Sequence, residues 1–426
     1  MTIRTRCGFF MRRKIGYLAP EFPGQTHLFL WREIQGLAEL GVDCDLISTR
    51  RPPDGIVSHG WAEQAQERTT YLVPFSLVDG LGSLAMLLKA GPARWARCVA
   101  IVAGKSDLTA GERLRLLFLM LPAAKLAWHA KKHGIDHIHV QSCSDAANIA
   151  MLASLIGGVR YSLSLLGPTL EGYGPNQPNK WRYASFGVVM SNLLHKVVLE
   201  RLAGHLPPFV EVLPVGVDLD VIRRKKAYEP WRGVGECRIY SCGRLNKIKG
   251  HRDLIDAIGL LRQNGIPARL VIAGEDEQGG TGYRRELERH IEASKAGDFV
   301  TLLGAVGEDR HRELLEDAHL FALSSLNEGI SVAIMEAMAM EMPVVVTNVG
   351  GNAELIDDGV NGVFAIPEAP ARFAEALQSV LSSPDLALKL SGASRRKVAE
   401  KFDSRNSAAI LAACLDRSAK EASIGR

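Results

Sequence analysis

The sequence predicts an α/β protein of two open parallel sheets. Three observations carry this reading: strand-like and helix-like segments alternate in two separate stretches, a polar link divides them, and several strands of the second stretch end on glycine. The 426 residues, 47% hydrophobic and 23% charged, have the composition of a globular chain of two or three domains.

The first stretch opens with a strand at residues 14–18. A loop around 20–24 follows, and then a segment at 28–40 whose apolar positions recur at helical spacing. Residues 41–48 read as a second strand. Beyond a less regular, helix-rich region, short strands are predicted at 137–140, 161–165, 187–190 and 210–213. From 214 to about 235 the chain carries Gly216, a basic run at 223–226 and Pro230, which suits an exposed interdomain link. The second stretch is more regular, with strands at 238–241, 269–273, 300–303, 320–323, 344–347 and 363–366. Several of these end at Gly243, Gly274 and Gly304, the pattern of a Rossmann-like sheet that binds its ligand at the carboxyl ends of its strands. The expected organisation is an N-terminal domain over 1–214, a link over 215–235, a C-terminal domain over 236–402, and a final helix within 403–426 that packs back on the first domain. Residues 1–10 read as a disordered tail, with Met11 an alternative start. There is neither an internal repeat nor a low-complexity tract.

The seven cysteines, Cys7, Cys44, Cys98, Cys143, Cys237, Cys242 and Cys414, show no paired spacing and no histidine cluster at zinc spacing. That predicts a reduced, cytoplasmic protein. The apolar segments at 81–88 and 116–124 are too short to span a bilayer, and Lys89, Arg94, Arg115 and Lys125 flank them. Charge is uneven. The first 235 residues carry 28 Lys and Arg against 19 Asp and Glu, a net +9 within a total of +4, so the remainder is −5. A basic first half with short apolar segments fits peripheral contact with an anionic membrane surface. No nucleic-acid partner is expected.

The strongest chemical signal is the run Glu328-Gly329-Ile330-Ser331-Val332-Ala333-Ile334-Met335-Glu336, which follows a strand and opens a helix. Glycine permits a tight turn, and the free N–H groups of Ser331, Val332 and Ala333 at a helix N-terminus suit a phosphate. Glu328 precedes the turn and Glu336 lies two helical turns on, so one carboxylate can reach a sugar hydroxyl and the other a ribose diol. Arg244 and Lys249 project from one strand-to-helix loop, Gly243-Arg244-Leu245 to Lys249-Gly250. Two cations there can neutralise a diphosphate whose charge grows as a sugar bond breaks.

Those motifs, with Gly274, Glu336-Ala337-Met338-Ala339, Pro343-Val344-Val345 and Gly350-Gly351-Asn352-Ala353-Glu354, resemble the C-terminal domain of family-4 glycosyltransferases over about residues 238–367. The N-terminal half is similar, more weakly, to bacterial exopolysaccharide and capsule enzymes of that family. The similar segments are Phe22-Pro23-Gly24-Gln25-Thr26-His27 with Trp31-Arg32-Glu33, His137-Ile138-His139 and Gly216-Val217-Asp218. The resemblance implies the GT-B fold, two Rossmann-like domains whose parallel sheets face each other across a cleft, and retaining transfer from a UDP- or GDP-sugar to a saccharide or polyprenyl-linked acceptor. It implies that Arg244 and Lys249 hold the donor diphosphate, Glu328 the transferred sugar and Glu336 the ribose. Val306 would meet the base through its backbone, while Gly24, Ser331 and Val332 would complete the donor site. The family usually carries a histidine where this chain has Leu166, which cannot donate a hydrogen bond. His139 or His27 is then expected to cover the role.

No cofactor or metal is expected. The Asp-x-Asp pairs, Asp43 with Asp45 and Asp218 with Asp220, lie in a predicted strand and in the link, away from Arg244 and Lys249, whose charges already serve the diphosphate. Two other readings remain open: a catalytically weakened nucleotide-sugar-binding subunit, motivated by Leu166, and another GT-B enzyme such as a nucleotide-sugar epimerase or a phosphorylase.

Overall fold

A computed structural model describes residues 13–24, 27–52, 60–104, 108–276 and 282–424. The tail at 1–10 and the loop residues Gln25 and Thr26 lie outside the described residues.

The N-terminal sheet is built from β1 (Arg13–Glu21), β2 (Val42–Arg50), β3 (Thr70–Val73), β4 (His137–Val140), β5 (Arg160–Leu165), β6 (Gly187–Val189) and β7 (Val210–Val212). Its helices are α1 (Leu28–Glu39), α2 (Ala62–Arg68), α3 (Leu77–Ala103), α4 (Ala110–His133), α5 (Asp145–Gly157), α6 (Gln177–Arg182) and α7 (Asn192–Arg201). The C-terminal sheet has β8 (Cys237–Cys242), β9 (Ala268–Ala273), β10 (Val300–Gly304), β11 (Leu320–Leu323), β12 (Val344–Thr347) and β13 (Val363–Ala365). It carries α8 (His251–Gln263), α9 (Tyr283–Ala293), α10 (Glu308–Asp317), α11 (Val332–Ala339), α12 (Asn352–Leu355), α13 (Pro370–Leu381) and α14 (Pro384–Lys401). A last helix, α15 (Ser404–Ile424), closes the chain.

Both sheets are wholly parallel, in the orders β3-β2-β1-β4-β5-β6-β7 and β10-β9-β8-β11-β12-β13. Each therefore reverses strand order beside its first strand, at β1/β4 and at β8/β11, and such a switch point opens a crevice for ligand at the carboxyl ends. The central strands read as near-continuous apolar runs because helices cover both faces: Ile239, Leu270, Ile272, Phe321 and Val344 to Val346 are buried. The predicted strands are all present, and β3 is an addition. At four residues it is too short to show alternation.

The link departs from the exposed connection that its composition suggests. Val215, Val217, Leu219, Ile222 and Tyr228 are buried. Val217 exchanges backbone hydrogen bonds with Phe402 and Ser404, at 2.9 and 3.0 Å. Arg224 donates to Glu316 O at 2.7 Å and to Met340 O at 3.3 Å, carbonyls at the C-terminal ends of α10 and α11, where the helix dipole favours a cation. The basic run is thus partly a clamp on the second domain. Helix α15 returns to the first domain, where Ala408, Leu411, Cys414 and Leu415 join Leu30, Ile34 and Leu37 of α1 in one apolar cluster. No described helix is long and apolar enough to cross a membrane.

Candidate active site

At the β8/β11 switch point two loops lean on each other. The loop after β8 makes a single 3-10 turn, Lys247–Lys249, which the Asn246 side chain caps by accepting from Lys249 N. The loop after β11 docks against it: Leu326 N donates to Ile248 O at 2.6 Å, and Ser324 Oγ donates to Gly250 O at 2.8 Å. These contacts bring Lys249 Nζ to 2.5 Å from Glu328 Oε1, which also accepts from Ser325 Oγ at 2.7 Å. The two motifs, far apart in sequence, form one charged pair. The glycine pair after β12 supports it from behind. Gly350 has φ +55°, and a Cβ there would fall 1.7 Å from Glu328 O, so only glycine lets the backbone come this close.

The site is a cleft of about 300 Å³ between the domains. Arg244, Lys249, Val306, Glu328, Ser331, Val332 and Glu336 line it from the C-terminal side. Arg32, Leu166 and Met190 line it from the N-terminal side. The N-terminus of α11 opens into the same space, and Ser331 makes no side-chain cap there, so its leading N–H groups face the cleft. Seven of the nine residues proposed from the sequence thus meet in one place. Gly24 stands one step back, in the loop under His27, whose ring would be 2.8 Å from a Cβ at that position.

His139 does not meet the cleft, which corrects the expectation that it takes part in the chemistry. It is fully buried in β4, with Nδ1 2.8 Å from Ser162 Oγ and Nε2 2.9 Å from Ser164 Oγ, and its ring packs on Phe186. Burial lowers its pKa to about 3, so it is a neutral core residue. His27, the other histidine considered, does not line the cleft either; burial, and then the Arg244 charge, lower its pKa to about 4. Leu166 does occupy the cleft wall, with its carbonyl 3.1 Å from where a Gly329 Cβ would sit.

Three groups escaped the sequence reading as site residues. Arg32 of α1 crosses the cleft to Glu308 Oε2 at 3.4 Å and to Glu336 Oε1 at 3.6 Å. His311 lies behind Glu336, its Nε2 at ion-pair distance of 3.3 Å from Oε2 and its Nδ1 2.8 Å from Tyr240 Oη. Burial works against the imidazolium, but the Cys242 sulfur and the Glu336 carboxylate outweigh it and push the His311 pKa up to about 10. Glu354 accepts from Asn192 N, Asn192 Nδ2 and Leu193 N at 3.0, 2.7 and 3.0 Å, so a carboxylate of one domain caps helix α7 of the other. The available signal for Arg32 was a charged pair, Arg32-Glu33, set between the apolar residues Leu28 to Trp31 and Ile34 of an amphipathic segment.

The Asp-x-Asp pairs lie elsewhere. Asp45 joins Lys14 Nζ at 3.0 Å and His129 Nε2 at 2.9 Å on the outer side of the first sheet. With His133 this is a group that could hold a metal ion, although Lys14 already neutralises the carboxylate. Asp218 accepts from Asp220 N within the link, and Asp220 faces Arg405.

Residues 232–397 match the family model described as glycosyl transferases group 1. The amylovoran biosynthesis glycosyltransferase AmsK of Erwinia amylovora is 33% identical over 187 residues, which make up 42% of this chain and 44% of that protein. A glycogen synthase of Mycobacterium tuberculosis is 30% identical over 197 residues, 46% of each chain. The chain thus spans less than half the length of these curated relatives. Among solved structures, HepE of Anabaena in complex with UDP-glucose superposes with a TM-score of 0.71 at 18% identity, covering 95% of this chain and 99% of that one. This likeness shows the fold, GT-B, over both domains.

Proposed function

We propose that this chain, which carries a glycosyl transferases group 1 domain over residues 232–397 within a GT-B fold, is a retaining, metal-independent hexosyltransferase. Its donor is a UDP- or GDP-sugar and its acceptor a saccharide or polyprenyl-linked saccharide, in the synthesis of exopolysaccharide or another cell-surface glycan. It works in the cytoplasm, at the inner face of the membrane. The observation that carries the reading is the convergence of Arg244, Lys249, Glu328, Glu336 and the α11 N-terminus on one interdomain cleft. HepE, whose fold this chain shares, was solved with UDP-glucose, and AmsK is named for amylovoran biosynthesis.

The geometry supports the roles that the family resemblance suggests. Arg244 and Lys249 flank the position of a diphosphate and gain interaction energy as negative charge builds on it. Glu328, held by Lys249 and Ser325, points an acceptor oxygen at the transferred sugar. Glu336, fixed by His311, faces the ribose diol. The bond from the anomeric carbon to the β-phosphate oxygen breaks, and a bond to the acceptor oxygen forms on the same face. The acceptor proton passes to the departing phosphate, so the reaction needs no glycosidase-like carboxylate pair. The cross-cleft contacts of Arg32 and Glu354 suit a site that closes to exclude water.

Leu166 on the cleft wall favours a second reading, a nucleotide-sugar-binding subunit with weak catalysis. One experiment ranks the two. A thermal-shift screen over nucleotide sugars should find a donor that stabilises the protein by about 2.7 kcal/mol at 100 times its dissociation constant. Transfer or hydrolysis of that donor, with EDTA present, is the outcome the enzymatic reading requires. A bound donor with no turnover supports the binding subunit, and no stabilisation by any nucleotide sugar removes both.

A further inference from the structure

The large exposed apolar side chains are concentrated on one region of the N-terminal domain. Leu77, Leu81, Leu84 and Leu88 recur at the spacing of a single helical face in the first part of α3, before its break at Gly91. That spacing usually marks a core-facing stripe, yet these residues point outward, with Leu77 89%, Leu81 71% and Leu88 75% exposed. The core is served instead by Ser83 and Met86. Helix α4 repeats the arrangement: Leu116 and Met120 are buried, while Leu114, Leu117, Phe118 and Leu121 are exposed, Phe118 by 66%.

A buried lysine ties the two sets together. Lys125 Nζ donates to Tyr71 O at 2.8 Å and to Pro74 O at 3.3 Å, pairs with Asp79 at 2.8 Å, and lies over the Phe75 ring. This pins the β3–α3 corner to α4 one turn beyond Leu121, so Phe75 and Leu77 share a corner with Leu121 and Phe118. It also removes Lys125 from the surface, where the sequence had placed it as a flanking charge. Arg115 reaches Asp145, the first residue of α5 at the carboxyl end of β4, so the α4 end of the patch lies toward the cleft.

The surroundings are basic. Residues 77–133 contain nine Lys and Arg against three acidic residues, and two of the acids, Asp79 and Glu112, are occupied in helix capping boxes. An exposed apolar surface of this extent is unusual for a monomer in water. A second copy docked face to face would bring two strongly basic regions together, whereas anionic headgroups complement them.

We infer that the β3–α3 corner and α4 form a membrane-docking surface. Its leucines and Phe118 enter the headgroup boundary of an anionic bilayer, while Lys89, Arg97 and Arg115 meet lipid phosphates. This deepens the membrane part of the reading above, and it orients the acceptor side of the cleft toward lipid.

The test uses the full chain and sedimentation with phosphatidylcholine vesicles, with and without phosphatidylglycerol. Wild type should partition to the anionic vesicles and not to the neutral ones. The variants Leu77→Ser/Leu81→Ser/Leu88→Ser and Phe118→Ser/Leu121→Ser, all at exposed positions, should each lose partitioning by about tenfold or more. Lys89→Gln/Arg97→Gln should weaken binding and flatten its salt dependence. Unchanged partitioning of the serine variants overturns the proposal, as does equal binding to neutral vesicles. A concentration-dependent dimer that the serine variants dissolve also overturns it and makes the face an interface between copies. Stabilisation by nucleotide sugar, measured on the same samples without vesicles, reads the donor site independently. Its absence counts against the transferase reading and leaves the vesicle result standing.

Discussion

Replacing Lys249 by methionine keeps most of the side-chain stem and removes the charge, and the structure assigns that change two separable costs. The first is catalytic. If Lys249 stabilises a departing diphosphate, its loss should lower turnover by about 100-fold or more, equivalent to about 2.7 kcal/mol. The second concerns stability. Lys249 and Glu328 form a pair at 2.5 Å with side chains only 15% and 10% exposed, so methionine strands a carboxylate that is nearly out of water. Breaking a fully buried pair typically costs 3–5 kcal/mol. Here Ser325 still donates to Glu328 and some water reaches it, so about 2 kcal/mol is expected. Adding Glu328→Gln removes the stranded charge. The double variant should recover most of the stability and none of the rate. Chemical denaturation and single-turnover transfer, both with EDTA, measure the two effects. A Lys249→Met protein with near wild-type turnover, together with activity that EDTA abolishes and magnesium or manganese restores, would refute the metal-independent mechanism.

Other outcomes follow from the same geometry. Glu336→Ala should weaken nucleotide binding by about tenfold with a smaller effect on turnover, whereas Glu328→Ala should act mainly on turnover, because a ribose contact is made equally in ground and transition states. Titration calorimetry with UDP and GDP, set beside steady-state kinetics, distinguishes them, and equal effects on both parameters would remove the role assignment. Burial raises the Glu33 pKa from 4.5 to about 7 although Tyr17 and Gln141 both donate to its Oε1. A carboxyl whose folded pKa lies above its unfolded one stabilises most below pH 4.5, and that stability is lost as pH rises through 7, by about 3 kcal/mol. Glu33→Gln keeps an oxygen for both donors and should flatten this part of the stability profile relative to wild type. A profile unchanged by the substitution would contradict the assignment.

The C-terminal domain was legible because its signals are local. Apolar runs ending on glycine specify strands, and a loop that must approach another backbone within a carbon's radius admits only glycine, as at Gly350. The N-terminal domain was less so. Its four-residue strand β3 carries no clear alternation, and His139 reads like a site residue because histidine in a strand is chemically suggestive whichever face it takes. Only the pairing of β4 with β5 reveals that Ser162 and Ser164 satisfy its ring. The link misled for a related reason: composition reports polarity, but the partners of Arg224 are helix-end carbonyls about 90 and 116 residues away. Cross-cleft contacts have no local signature at all, so Arg32 and the role of Glu354 emerge only once both sheets are in place.

Arg32 connects that geometry to the way the site operates. It approaches Glu336 Oε1 while His311 takes Oε2, so the carboxylate proposed to receive a ribose is also a contact that holds the domains together. A donor can shift the domains only by as much as it interacts differently with their arrangements. A ribose hydroxyl that donates to Oε1 must share it with Arg32 or replace a contact that, at 3.6 Å, is longer than a hydrogen bond. Glu308 gives Arg32 a second anchor at 3.4 Å, so the link across the cleft can survive the exchange. Arg32→Gln should therefore leave UDP affinity unchanged or slightly higher, because Glu336 loses a competitor, and should lower turnover by about tenfold, because closure loses its charged link. Calorimetry with UDP and initial rates with the full donor give the two quantities separately. A tenfold loss of UDP affinity with unaltered turnover would instead make Arg32 a ligand of the nucleotide, and the closure role would have to pass to Glu354 and helix α7.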